Sequence, residues 1–125
     1  MHNKKLKNIL SFPAAKRYSY FIGKVCDFEE IWGLHADGWA MASSDSGEKA
    51  IPFWPEKDFA EVCANGSWRG YSPKVIKLED FANKWIPGMA KDGCILAIFP
   101  TPEDKGILIN PDKVLKDLEE ECSQY

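Results

Sequence analysis

The sequence is short of the side chains that do chemistry. It has two histidines, His2 and His35, and neither stands near a cysteine. Its cysteines, Cys26, Cys63, Cys94 and Cys122, are scattered almost evenly with no Cys-x-x-Cys pair, so the closely spaced ligands of a zinc site are missing. No glycine-rich loop of the GxGxxG or GxxxxGK[ST] kind occurs, which leaves nucleotide phosphates without a cradle. No apolar run approaches the roughly 20 residues that span a bilayer. No internal repeat or low-complexity linker marks a second domain. The opening MHNKKLKNIL carries lysines but no long apolar segment and no small-residue cleavage site, so it does not read as a secretory signal. Disulfides belong with export; without a signal, the expectation is a cytoplasmic chain with four reduced thiols. Cys63 and Cys94, in apolar surroundings, are expected to be buried as small hydrophobes.

What is present is enough for a core. The chain has 125 residues, 45% hydrophobic and 13% aromatic, which fits one ordinary domain and opposes disorder. The net charge of −3 does not favour nucleic acid. The charge is unevenly spread. Residues 1–25 carry Lys4, Lys5, Lys7, Lys16, Arg17 and Lys24 without an acid, whereas residues 26–50 carry six acids against Lys49. A solvated basic helix over an acidic hairpin region accounts for this.

Along the chain, residues 1–10 read as a basic flexible tail, and 11–125 as a single domain. Ala14, Tyr18, Phe21, Ile22 and Val25 make one helical stripe, so the spacing predicts a helix over 12–27. The stretch from Trp32 to Pro55 reads as a three-strand meander, Trp32–His35, Trp39–Ala42 and Lys49–Trp54, with turns at Asp37-Gly38 and Ser44–Gly47. Pro52 cannot donate to a ladder, which puts the third strand at an edge or at its end. A second helix follows Pro55 and stops at Asn65-Gly66. Lys74–Leu78 reads as a short strand. Leu78, Phe81, Ala82, Trp85, Ile86 and Met89 form the clearest helical stripe, which Pro87-Gly88 should end or kink near Trp85. Cys94–Phe99 reads as a central strand covered on both faces, and Ile107–Ile109 as its hairpin partner. Asn110 and Pro111 open a last helix, whose Glu119–Glu121 are ill placed at a negative helix end and should fray. The expected fold class is α+β: one domain, with a mostly antiparallel sheet of five to six strands and about four helices.

Three patterns in this order resemble a bacterial family defined only as domain of unknown function 2750. They are E-x-W-G-L-x-x-D-G-W-A at Glu30–Ala40, W-P-x-x-x-F-A at Trp54–Ala60 and F-P-T-P at Phe99–Pro102. The resemblance covers roughly residues 14–120. It implies a bacterial cytosolic setting and no particular chemistry. The meander is also similar in style to small proteins of toxin–immunity loci.

Tests for chemistry leave little. His35, Asp37 and Cys63 would serve a small hydrolase or a metal-assisted enzyme if they converged, but no spacing brings them together. Asp37, Asp45 and Glu48 lack the alternation of a calcium loop. Trp68, Arg69, Tyr71, Lys74 and Lys77 have the aromatic and cationic character suited to single-stranded nucleic acid, in a chain that is acidic overall. The preferred reading is a non-enzymatic protein-interaction or regulatory module, of immunity type, with no cofactor and no metal. Its partner would be a protein, met by Trp68, Arg69 and Tyr71 and by the turn residues His35 and Asp37.

Overall fold

A computed structural model describes residues 2–124. Its element order is α1 (Asn3–Leu10), α2 (Ala14–Phe28), β1 (Glu30–His35), β2 (Ala42–Ser43), β3 (Lys49–Phe53), α3 (Lys57–Cys63), β4 (Ser72–Lys77), α4 (78–92), β5 (Ile95–Ile98), β6 (Ile107–Ile109) and α5 (Pro111–Cys122). The expected α+β class holds, with six strands and five helices, but the strands divide between two sheets. β1 and β4 form an antiparallel pair, and β2-β3-β5-β6 form the second sheet.

The stretch expected as a tail forms α1. His2 Nδ1 accepts the Lys4 backbone N–H at 3.2 Å, and Ile9 is buried in the core. α2 falls where the stripe put it, with Phe21, Ile22, Val25 and Cys26 inward. α5 starts as expected: Asn110 Oδ1 accepts the Lys113 N–H at 2.9 Å and Pro111 occupies the first turn. That side-chain bond satisfies one of the N–H groups a helix start leaves open.

The meander forms only in part: the 44–47 reversal joins β2 to β3 as expected, but the first hairpin does not develop. The Asp37-Gly38 reversal is made, with Ala36 N–H donating to Gly38 O and Ala40 N–H to Leu34 O, yet only one bridge, His35 to Trp39, follows from it. β1 pairs instead along its whole length with β4, in register from Glu30–Lys77 to His35–Ser72. β2 is two residues long and pairs only with Ala50 and Lys49. β3 then runs parallel to β5, the one parallel pairing in the two sheets. Pro52 therefore lies inside a sheet, for a local reason. The Phe53 carbonyl faces β5, accepting Phe99 N–H, while Trp54 exchanges both backbone bonds with Trp32. Alternation then points the Pro52 nitrogen to the β2 side, where pairing has ended at Ala50, so no ladder bond is lost.

α4 does not stop near Trp85. It runs as an α-turn (Leu78–Asp80), a π-turn (Phe81–Trp85) and an α-segment (Ile86–Asp92). In the π-turn, Ile86 N–H reaches Phe81 O. This widening comes directly before Pro87, whose ring would otherwise press on a carbonyl of the preceding turn. Gly93, at φ 72°, ends the helix.

α4 packs on the sheet face that carries Phe53 and Ile98, where Phe53 meets Phe81 at 5.1 Å and Trp85 at 5.8 Å between ring centres. Trp54 is wholly buried and Trp32 and Trp39 are half-buried against the core, so the meander tryptophans fill it. The reduced-thiol expectation is overturned for two of the four cysteines. Packing of α2 on α5 brings Cys26 and Cys122 together as a disulfide, 96 positions apart in sequence. This anchors the helix end that was expected to fray.

Candidate functional site

The second face of the four-stranded sheet carries mostly small residues, with Ile95 and Leu108 as its larger side chains. Register places Ala42 and Ala50 beside Ile95, and Pro52 beside Ala97 and Leu108. Over this floor lies a cleft of about 320 Å³, lined by Ala42, Ala97 and Leu108, with Trp68 on one side and the 100–105 turn on the other. A second cleft continues along the same face past Leu108 to the 44–48 turn.

The 100–105 turn is held by an unusual density of bonds. It begins at Phe99, a non-glycine residue at φ 55°, in a region that costs an L-residue roughly 1–2 kcal/mol. Phe99 N–H donates to Phe53 O at 2.8 Å. Its carbonyl accepts Arg17 Nε at 3.0 Å, and its ring packs on Phe59 with centres 4.7 Å apart. Arg17 is buried; its other nitrogens reach Phe12 O and Asp104 Oδ2, each at 2.6 Å. This hydrogen bond from Arg17 is the main force lowering the Asp104 pKa. The next carbonyl, Pro100 O, accepts Trp54 Nε1 at 2.9 Å and Cys63 Sγ at 3.3 Å. The turn closes at Gly106, φ 79°, where an added Cβ would lie 2.3 Å from Ile98 O. Only glycine fits there.

Trp68 sits in the short 3₁₀ turn Gly66–Trp68. It is half-buried, edge-on to Trp54 with ring centres 5.9 Å apart, and its Nε1 donates to Met41 O at 3.2 Å. The loop expected to bear a binding aromatic is thus anchored beside the cleft. Arg69 is exposed and Tyr71 half-buried against the core. His35 and Asp37 belong to another neighbourhood. The His35 ring stands edge-on to Trp39 at 5.0 Å, and Asp37 is exposed in the reversal. Cys63 belongs to neither: it is buried, donates to Pro100 O, and burial pushes its thiol up to about 11. An activated nucleophile needs the opposite shift. Among the described residues, no group of three or more His, Cys, Asp and Glu side chains is arranged to hold a metal ion. No helix among them is long and apolar enough to cross a membrane.

Sequence reasoning missed the contribution of the 99–106 turn, which reads as a plain connection. Its one signal was the F-P-T-P pattern. Leu108 leaves an exposed apolar side chain on this face, and an ion pair between Lys105 Nζ and Asp45 Oδ1 at 2.7 Å lies beside it.

Fold and site together define a small α+β domain with α4 on one face of the four-stranded sheet and an open cleft on the other. The family model described as "Protein of unknown function (DUF2750)" matches residues 18–118, and the chain belongs to that family. Among curated proteins and solved structures, nothing matches it.

Proposed function

We propose that this chain is a non-enzymatic interaction module that docks a segment of another protein in the cleft between Trp68 and the 100–105 turn. The observation that carries this reading is the composition of the cleft: a floor of Ala42, Ala97 and Leu108 beside an anchored indole, with charge confined to the rim. Binding sites for polypeptide are built this way, an aromatic anchor beside a shallow apolar floor with a polar edge. The nearest thiol, Cys63, is spent on Pro100 O and held protonated. A module of this kind acts by occupancy, as regulatory and immunity proteins do.

The test is selection from a library of random peptides displayed on phage, with the native chain as bait. Peptides should be recovered that bind the native chain and lose binding to Leu108→Glu, a surface substitution on the cleft floor, and to Trp68→Ala. The melting temperature of Leu108→Glu should stay within a few degrees of native, because the side chain is already exposed. Failure to enrich any peptide, or enrichment indifferent to both substitutions, refutes the proposal.

A further inference from the structure

Resting on that reading, we infer that the docked segment is cationic and extended, and that Lys105 is a built-in competitor that occupies its charge site when the cleft is empty. The rim is acidic. Asp45 and Glu48 come from the 44–48 turn and Glu103 and Asp104 from the opposite turn, against Lys105 alone. Asp104 is committed to Arg17 and to Gly106 N–H. Asp45 is not tied down in that way: its side chain is 93% exposed, and its ion-pair partner Lys105 is itself exposed, at 64%.

The ion pair joins the two turns across the sheet face, between two clefts that share Leu108. An aliphatic stem beside Leu108 with its ammonium on Asp45 is the pose a partner's lysine or arginine would take. Exposed pairs of this kind contribute little in water, so an incoming cation exchanges with Lys105 at little cost. Length supports an extended segment, since both clefts lie end to end on one face. Nucleic acid would meet the acidic rim with its phosphates and is repelled. The basic helix α1 of a second copy is a poor occupant, because its apolar side chains Leu6, Ile9 and Leu10 are already packed into its own core.

The test uses the peptides from the displayed library. Trp68-dependent binders should be enriched in Lys and Arg. For one such synthetic peptide, followed by fluorescence anisotropy, Lys105→Ala should tighten binding about three- to fivefold and Asp45→Asn weaken it by a similar factor, the worth of one exposed charge pair. Added salt should weaken binding and shrink both differences. The Lys105 and Asp45 side chains are exposed, so folding of these two variants is not in question. Trp68-dependent peptides without cationic enrichment, or a Lys105→Ala variant that binds no better, overturn this inference and leave the docking reading standing. Native self-association abolished by Asp45→Asn assigns the face to a second copy and overturns the inference. Absence of any Trp68-dependent peptide overturns the docking reading itself.

Discussion

Breaking the Cys26–Cys122 bond should cost this domain a large part of its stability. The bond closes 96 positions of chain, nearly the whole domain. In the chain-entropy description, a cross-link of that span removes about 4–5 kcal/mol of freedom from the unfolded state at 25 °C. Native stabilities of small domains are about 5–15 kcal/mol. The reduced protein is therefore expected to remain folded on a much weaker curve. The native state adds a local contribution. The last turn of α5 carries Glu119, Glu120 and Glu121 and no basic residue, an unfavourable arrangement at the negative end of a helix. The bond pins that turn to Cys26, which is buried in α2.

The assay is urea unfolding of the native protein with and without dithiothreitol, beside Cys122→Ala. Cys122 is only half-buried, so its truncation removes the cross-link with little loss of packing. A loss of about 4 kcal/mol lowers the urea midpoint by roughly 2–3 M and the melting temperature by roughly 12–20 °C. The dependence on urea should steepen, because the unfolded chain expands once released. Cys122→Ala should match the reduced native protein and be indifferent to the reductant, since Cys63 and Cys94 are free thiols. Unchanged midpoints with both thiols shown by mass spectrometry to be alkylatable would falsify the reasoning, as would further weakening of Cys122→Ala by reductant. The result bears on where the chain works, because a compartment that keeps thiols reduced would hold it on the weaker curve.

Three further outcomes follow from the packing. Gly33→Ala places a Cβ 2.9 Å from Trp39 Cζ3, in an indole already edge-on to Trp85 at 4.8 Å; calorimetry should show a loss of about 1–3 kcal/mol, smaller when Trp39→Leu is made in the same chain. Gly106→Ala combines φ 79° with a 2.3 Å approach to Ile98 O, whereas Gly47→Ala at φ 85° meets nothing within 4 Å; the first should lower the melting temperature severalfold more than the second, whose cost is about 1 kcal/mol. The Asp104 carboxyl, lowered chiefly by the hydrogen bond from Arg17, contributes stability that is present above its unfolded value, near 3.9, and is lost as pH falls through the lower folded value. Acid unfolding of Asp104→Asn should lack that part of the pH dependence.

How much was legible in the sequence depends on how far each signal acts. Local chemistry was readable. Asn110 with Pro111 marks the start of α5, the Phe21–Val25 stripe marks α2, and the Cys94–Phe99 run gives a central strand. Pairing between distant segments was not. Asp37-Gly38 signals a reversal and the chain makes one, but β1 gains six paired residues by crossing to β4, where the local hairpin yields a single bridge. The Glu30–Ala40 pattern looks like a site and is chiefly packing, with Gly33 leaving room for Trp39 and Ala40 buried. α1 was hidden by its lysines, although Leu6, Ile9 and Leu10 hold helical spacing. The disulfide has no spacing signal, because its partners meet only after α2 packs on α5. Of the residues read as candidate binders, Trp68 lines the cleft, while His35 and Asp37 lie at a separate reversal. The cleft's other wall depends on Arg17 reaching Phe99, 82 positions away, which no local pattern records.

The strain at Phe99 explains why that wall exists. An ordinary extended conformation there would carry the chain straight past the end of β5 and leave the outer face open on that side. The left-handed turn instead directs the Pro100 carbonyl inward to Trp54 and Cys63 and carries residues 101–105 back over the sheet. A cost of roughly 1–2 kcal/mol persists only where surrounding contacts over-determine the conformation. Arg17 supplies one of them from its buried guanidinium, Phe53 O accepts the Phe99 N–H, and Phe59 packs the ring. Arg17 also ties its own helix, the Phe12 carbonyl before it and Asp104 to a single point. Loss of that side chain would release the backbone that forms the cleft wall as well as weaken the core. Stability and the shape of the site are thus set by the same residue, although Arg17 itself never touches the cleft.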